Sequence, residues 1–367
     1  MIDVRAHLAR KPLLFDGGMG TYYKAKPGTE CEQGNLLDPA GVRKVHREYL
    51  AAGAEAIKTN TFGLPRMAAA RQPDWQALAR AGWKLAAEAA VETGAAVFAD
   101  LGPAPDTEAA PAGSIYTAVA RCFVEQGAKN FLFETLSSDA GVLEAVQAVK
   151  AQVPDAFVLV SFAVLPDGYT REGMYSKDLV RRMTESGIVD AVGFNCVSAP
   201  GAMRTLVQQL GSTALPLSVM PNAGYPVVTR TQVKYQGKPE YFAKELARIA
   251  AEGVRLLGGC CGTTPAHIAA LRAALDSLPA VEKAAPAVQV STPEAPTVEK
   301  DDAFLRKLNA GKKVIAIELD SPKDADLTNY LAGAKRLQAA GADLLTIADC
   351  PIARARMDSS LVACRVH

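Results

Sequence analysis

The sequence predicts an α/β protein whose main body is a (β/α)8 barrel, the TIM barrel. Short apolar runs alternate with amphipathic segments along the first three quarters of the chain, as parallel strands joined by helical crossovers do. Eight such repeats fit in about 280 residues, the usual size of this barrel. Polar residues also gather where each apolar run ends, and that end of the barrel is where its loops carry function.

The runs are Leu13 to Phe15, Ala54 to Lys58, Ala96 to Ala99, Asn130 to Phe133, Phe157 to Phe162, Ala191 to Phe194, Pro216 to Met220 and Val254 to Leu257. Between them, Asp74 to Thr93, Tyr116 to Gln126, Ala140 to Gln152 and Tyr241 to Glu252 have helical spacing. Gly53, Gly94, Gly127, Gly187 and Gly253 stand just before the next run, where a helix C-terminus calls for left-handed backbone. An open doubly wound sheet would carry a Gly-x-Gly-x-x-Gly turn with a downstream acid, and none is present.

The barrel is assigned to residues 1–278. From 279 to 300 the composition shifts to Ala, Pro, Val, Glu and Thr without a sustained period, which reads as a semi-extended linker. Residues 301–367 begin again, with a helix from Phe304 to Asn309, a strand from Val314 to Leu319, a helix from Asn329 to Ala340 and a strand from Ala342 to Ala348. Two strands cannot close a barrel. This part is expected to be the incomplete start of a second α/β domain, poorly ordered or leaning on the barrel or a neighbouring chain.

Composition narrows the function classes. Hydrophobic residues make up 49% and charged residues 22%, an ordinary soluble balance. Forty basic against 39 acidic residues, a net charge of +1, give no case for nucleic acid or an anionic membrane as partner. No run is long enough to span a bilayer, and Met1 to Arg5 has no apolar signal core, so the expected location is cytoplasmic. Seven cysteines, an odd number in a chain large enough to build its own core, point to reduced thiols rather than disulfides. Homo-oligomerisation is left open.

The polar strand ends are Asp16, Asn60, Asp100, Glu134, Cys196, Asn222 and Cys260 with Cys261. For Asp100 and Asn222, simply marking a strand exit is an equally good account. Gly258-Gly259-Cys260-Cys261-Gly262-Thr263-Thr264-Pro265 sets two adjacent thiols between glycines, and Cys196 ends the sixth run. Three thiols at one barrel mouth would make a soft-metal site with a fourth position free, the pattern of catalytic zinc. The plainer account is that cysteine is a common small core residue, and a Cys-Cys pair is a weaker metal signal than spaced Cys-x-x-Cys pairs. The same loop could bind phosphate, because glycines precede a helix capped by Thr264 with Pro265 at its first position. A phosphate needs no thiols, which tips the reading to metal. Cys31, Cys122, Cys350 and Cys364 have no such surroundings and are expected to pack.

At the first strand, Asp16-Gly17-Gly18-Met19-Gly20-Thr21 is a glycine-rich turn beginning with an acid. With Glu134 from the fourth strand, Asp16 would face the ammonium of an amino acid. Amides and hydroxyls around Gly17, Thr59 and Thr61 would take its carboxylate. Taken singly, Asp16 could merely shape its turn, and Glu134 could pair with a neighbouring base or helix end.

With these residues assembled, the chain resembles the homocysteine S-methyltransferase family, which includes the homocysteine-binding barrel of cobalamin-dependent methionine synthase and betaine–homocysteine methyltransferase. The matching segments are the turn at Asp16 to Thr21, Thr59-Asn60-Thr61-Phe62-Gly63, Asp100-Leu101-Gly102-Pro103, Phe133-Glu134-Thr135, Gly193-Phe194-Asn195-Cys196 and the Gly258 to Pro265 loop. The resemblance implies Zn2+ on Cys196, Cys260 and Cys261, with homocysteine sulfur as the exchangeable ligand. It implies a substrate site of Asp16, Gly17, Thr61, Glu134 and Asn195, with Asp16 and Glu134 on the amino group. Methyl transfer from a small-molecule donor to homocysteine, giving methionine, is the expected activity. The alternative is a homocysteine- and zinc-binding module that needs a cobalamin or folate partner domain. A phosphate-binding lyase or aldolase barrel is a third class, with Lys58 as its sole strand-end lysine, although packing or local pairing suits Lys58 better. The segments Val314 to Pro322 and Thr346 to Pro351 resemble the start of a methylenetetrahydrofolate reductase barrel, with Glu318 at the position of that family's proton-donating glutamate. Most of that barrel is absent, so FAD binding is not expected.

Overall fold

The computed structural model describes residues 2–26, 28–228, 233–235, 237–277, 303–322, 326–348, 357 and 359–366. The chain divides into two compact units, Met1–Ala287 and Val288–His367. The linker assigned to 279–300 lies outside the described residues, as do Cys350 and Pro351.

In the first unit the strands are β1 Leu13–Leu14, β2 Ala56–Lys58, β3 Ala96–Leu101, β4 Asn130–Leu136, β5 Phe157–Phe162, β6 Ala191–Asn195, β7 Leu217–Met220, β8 Pro226–Val228, β9 Val233–Tyr235 and β10 Leu256–Leu257. Strands β8 and β9 form an antiparallel hairpin after β7. The other eight form one parallel sheet in the order β1-β10-β7-β6-β5-β4-β3-β2. A bridge between Phe15 and Ala56, with Asp16 N–H donating to Ala56 O at 3.0 Å, joins its two edges. The barrel expected from the alternating runs is present. All five glycines expected at helix ends have left-handed φ, from +65° at Gly187 to +100° at Gly253.

Two apolar clusters follow from the two-residue period of the strands. Ala96, Phe98, Leu132, Phe157, Leu159, Ala191, Met220 and Leu256 fill the lumen, together with Leu13 and Phe15. Their neighbours in sequence, such as Val97, Ala99, Phe131, Phe133, Val158 and Val192, pack outward under the helices. Val4 and Leu8, on the opening helix Val4–Leu8, join the luminal cluster and plug the N-terminal end. Arg5 on that helix donates to Asp155 O and Ala156 O, both at 2.7 Å, and pins the plug. One end of the barrel is therefore sealed with hydrocarbon. The residues next in the inward register at the other end are Lys58, Asp100, Glu134, Ser161 and Asn195, all polar and all buried.

Among its described residues, the second unit contains a βαβ element. Strands β11 Ala316–Glu318 and β12 Leu344–Thr346 pair in parallel around the helix Thr328–Ala339, after a first helix Ala303–Asn309. This is the expected order of elements, with shorter strands. The Lys307–Asp343 ion pair at 2.6 Å and the Ile315 N–H bond to Asp343 at 2.9 Å tie it together. Among the described residues, no helix is long and apolar enough to cross a membrane.

One buried group makes the barrel acid-sensitive. His46, on the helix Pro39–Ala51, is fully enclosed, and neither ring nitrogen has a hydrogen-bond partner among the described residues. Burial pushes its pKa down to about 4. The unfolded chain binds a proton at His46 below about pH 6.5 and the folded chain does not, so this residue costs stability as pH falls from 6.5 towards 4. At pH 5 the cost is about 2 kcal/mol. His46→Leu is expected to reduce the difference in unfolding free energy between pH 7 and pH 5 by that amount, read from denaturant melts. An unchanged difference would show that His46 does not contribute.

Candidate active site and its metal-binding cluster

The polar end of the barrel opens into a cavity of about 260 Å³, lined among others by Gly17, Lys58, Thr61, Asp100, Glu134, Cys196, Cys260 and Cys261. This is slightly below the range for drug-sized ligands, and suits a small metabolite. The loops that frame it meet where β1 pairs with β10. Thr263 Oγ1 accepts from Gly18 N–H at 2.9 Å and donates to Cys260 O at 2.6 Å. Thr21 Oγ1 accepts from Gly262 N–H at 3.0 Å, and Tyr49 donates its hydroxyl to Thr263 O at 2.9 Å. Contact is so close that a Cβ on Gly18 would lie 2.5 Å from Cys260 O, and one on Gly17 would lie 2.6 Å from Thr263 Oγ1.

This interlock decides between the two readings of the cysteine loop. Gly258 N–H donates to Val219 O, Gly259 to Asp16 O, Cys260 to Pro221 O and Thr263 to Cys260 O. Gly262 and Thr264 donate to Thr21 Oγ1 and His267 Nδ1. Most of the loop amides a phosphate would need are already paired within the protein, which argues against a phosphate cradle.

The three predicted thiols do come together. The sulfurs of Cys196, Cys260 and Cys261 lie within 4.8 Å of one another, with Cys196 and Cys261 3.8 Å apart. Two thiolates on one tetrahedral zinc, each about 2.3 Å from the metal, would stand about 3.8 Å apart. Cys196 and Val197 reach this position at φ +59° and +30°, in the region that side chains avoid. A strained β-branched residue beside a metal-ligating geometry marks a backbone held for a purpose. As thiols alone, the three compete for one negative charge. Hydrogen bonds from Cys196 and Cys260, helped by the Tyr235 hydroxyl, pull Cys261 down to about 3. The bonds Cys260 makes to Cys196 and Cys261, with burial, push it well up. A hydrogen bond to Cys260 draws Cys196 down, but its bond to Cys261 and burial win and leave it at about 12. Soft donors, tetrahedral spacing and an open side toward the cavity together fit a zinc ion.

The residues expected at the substrate site divide into two groups. Glu134 and Gly17 line the cavity, and burial, with Asp16 and Cys261 adding repulsion against the pull of Lys58, raises the Glu134 pKa. Asn195, in contrast, has every polar position engaged. Its Nδ2 donates to Glu134 Oε2 at 3.1 Å and Thr135 Oγ1 at 2.7 Å, while its Oδ1 accepts from Thr135 N–H at 2.9 Å and Ser161 Oγ at 2.8 Å. Asn195 thus holds Glu134 in place. Thr61 lines the cavity, but its hydroxyl donates to Asp100 O at 2.8 Å and accepts from Thr59 Oγ1 at 2.6 Å.

Asp16 is not free either. Lys58 N–H donates to its Oδ2 at 3.1 Å, and Lys58 Nζ lies 3.2 Å from its Oδ1. The same ammonium donates to Gly259 O at 3.2 Å. Lys58 therefore pairs locally, as expected, and its partner is a residue assigned to substrate. Burial raises the Asp16 pKa despite the opposing charge of Lys58. Around this one buried cation stand Asp16, Glu32, Asp100 and Glu134, all with raised pKa and with burial as the main cause. The cavity carries a surplus of acid, which favours cations within it. Cys31, expected only to pack, also lines it and donates to Asn60 Oδ1 at 3.1 Å.

Residues 13–275 match the family described as Homocysteine S-methyltransferase. The chain belongs to that family. Among relatives of this homocysteine S-methyltransferase-family chain, methionine synthase of Mycobacterium tuberculosis is 32% identical over 312 residues, covering 77% of this chain and 26% of that protein. Homocysteine S-methyltransferase of Escherichia coli is 30% identical over 296 residues, covering 71% of this chain and 94% of that protein. The crystal structure of the homocysteine methyltransferase MmuM from Escherichia coli in its metallated form superposes with a TM-score of 0.60 at 25% identity, covering 74% of this chain and 99% of that one. The chain thus spans about a quarter of the methionine synthases it matches.

Two substitutions test the frame of the site. Gly18→Ala drives a methyl group against the Cys260 carbonyl and is expected to cost about 1–3 kcal/mol, seen as a lower denaturation midpoint. Lys58→Met strands a buried Asp16 and is expected to cost about 3–5 kcal/mol at neutral pH. A stability equal to the parent in either variant would contradict the packing and pairing described.

Proposed function

We propose that this chain is a zinc-dependent homocysteine S-methyltransferase, forming methionine by methylation of the homocysteine thiol. The observation that carries this reading is the convergence of three sulfurs on one open corner of an acid-lined cavity small enough for one amino acid. Cys196, Cys260 and Cys261 would hold the zinc. Bound there, the metal would keep the substrate thiol ionised near neutral pH and fix its direction.

The chain's own residues do the rest. Glu134, oriented by Asn195, takes the ammonium end of homocysteine. Asp16 contributes to the same negative field while it anchors Lys58. The backbone of the Gly17 turn, without side chains to block approach, takes the carboxylate end. Two fixed ends and a sulfur at the thiol cluster leave the nucleophile one direction of attack, and positioning of this kind lowers the barrel's entropic barrier to reaction. Burial of the cavity walls keeps water from competing for the methyl group. Because the site needs three reduced thiols, a reducing compartment such as the cytoplasm follows, and the chemistry belongs to one-carbon metabolism.

A second reading has one observation in its favour. The methionine synthases matched are about four times longer than the aligned part, so this chain could be a binding module that depends on a partner domain for its methyl group. Near-complete coverage of the Escherichia coli methyltransferases supports the self-sufficient reading instead. In the second unit, the βαβ element agrees with the opening of a methylenetetrahydrofolate reductase barrel, and we assign it no flavin chemistry.

Cys261→Ala is expected to lose both bound zinc, by elemental analysis, and all methyl transfer. Full turnover in that metal-free variant would refute the proposal. Wild-type protein assayed with S-methylmethionine, S-adenosylmethionine and methyltetrahydrofolate separates the two readings, since a module dependent on a partner turns over none of them.

A further inference from the structure

We propose that Asp100 contacts the ammonium group of the amino-acid substrate directly and, with Glu134, forms the acidic end of the site. This deepens the homocysteine reading and rests on it. The inward register of β3 runs Ala96, Phe98, Asp100, so the carboxylate caps the luminal stack and lines the cavity. Only 3% of the residue is exposed, and Oδ1 has no hydrogen-bond partner among the described residues.

The other three acids of the cavity each have a partner. Asp16 faces Lys58, Glu32 accepts from Gly63 N–H at 2.6 Å, and Glu134 accepts from Asn195 at 3.1 Å. Asp16 Oδ1 likewise lacks a hydrogen bond, but the Lys58 ammonium stands 3.2 Å from it, whereas Asp100 Oδ1 has neither a donor nor a paired cation among the described residues. Such a group is costly to bury, so its retention at a cavity wall calls for a ligand that brings N–H.

The backbone around it is held with care. Asp100 N–H donates to Thr59 Oγ1 at 3.0 Å, and Asp100 O accepts from Thr61 Oγ1 at 2.8 Å. Since the Thr61 proton goes to that carbonyl, the 2.6 Å contact between the hydroxyls takes the Thr59 proton. Both threonines are thus clamps on Asp100, with no proton left for a substrate carboxylate. This accounts for two polar residues whose direct substrate contact the geometry does not support.

The electrostatics agree on the sign of the ligand. Burial first, then repulsion from Glu134, holds the Asp100 carboxyl well above the usual range. A cation between the two acids relieves both effects. A primary ammonium supplies three N–H donors on a compact charge, whereas a sulfonium or fully methylated amine supplies none. The chemistry therefore selects a primary ammonium, as the α-amino group of homocysteine provides, over the sulfonium centre of a methyl donor.

The test is binding calorimetry on zinc-loaded protein with two thiols, homocysteine and 4-mercaptobutyrate, which lacks only the amino group. Asp100→Asn is expected to weaken homocysteine by about tenfold or more, the scale of one hydrogen bond to a charged group. It should leave 4-mercaptobutyrate within about twofold and zinc content unchanged. Asp100→Ala should show the same pattern. The melting temperature should hold or rise in both, because a repelled buried carboxylate has been removed. Equal weakening of both thiols, unchanged homocysteine binding, or loss of fold or zinc would overturn the role of Asp100 and leave the methyltransferase reading standing. Wild-type protein that binds neither thiol would overturn both.

Discussion

Everything at the working end of this barrel depends on its closure. Parallel pairing of β1 with β10 brings the turn at residues 16–21 against the loop at 258–264, although some 240 residues separate them in sequence. Neither loop can hold its shape alone, since each supplies the hydrogen-bond acceptors for amides of the other. The glycines permit backbone-to-backbone approach, and Thr21 and Thr263 fasten it. Two sulfurs therefore sit on a segment whose geometry is imposed from the opposite end of the chain. The third arrives through the left-handed bend at Cys196, whose amide donates to Met220 O in the next strand.

The division of labour along the barrel axis has a simple electrostatic basis. The lumen below is hydrocarbon and the opening helix seals it, so the acids above have little water to screen them. One lysine cannot neutralise four carboxylates there. Burial and the surrounding acids oppose one another at Lys58, and the acids win and keep it protonated. The remaining acid is held in an environment that disfavours its charge. A site built in this way is pre-arranged for positively charged groups, and charge complementarity of this kind needs no reorganisation when the ligand arrives.

Much of this was legible in the sequence, and the limits are physical. Strand alternation and the helix-ending glycines revealed the barrel because both are local consequences of period and φ. The cysteines stood out because adjacent thiols between glycines are rare, and their convergence with Cys196 followed from placing all three at strand ends. Direction was harder to read. That Asp16 pairs with Lys58 depends on which strands meet when the sheet closes. That the hydroxyls of Thr59 and Thr61 turn to the backbone of Asp100 depends on proton direction, which no spacing encodes. Asn195 was expected at the substrate site, but its place behind Glu134 emerges only from four simultaneous hydrogen bonds. Glu32 and Cys31 sit in a three-residue 3-10 helix, too short for a period to announce them.

The order in which the sulfurs enter the fold has a consequence for biosynthesis. Cys196 leaves the ribosome with the sixth barrel strand, but its two partners follow only with the last. A chain arrested or clipped before residue 260 can never present more than one of the three donors, however well its earlier strands have collapsed. Metal capture through all three, as proposed, would thus be confined to molecules whose barrel is complete.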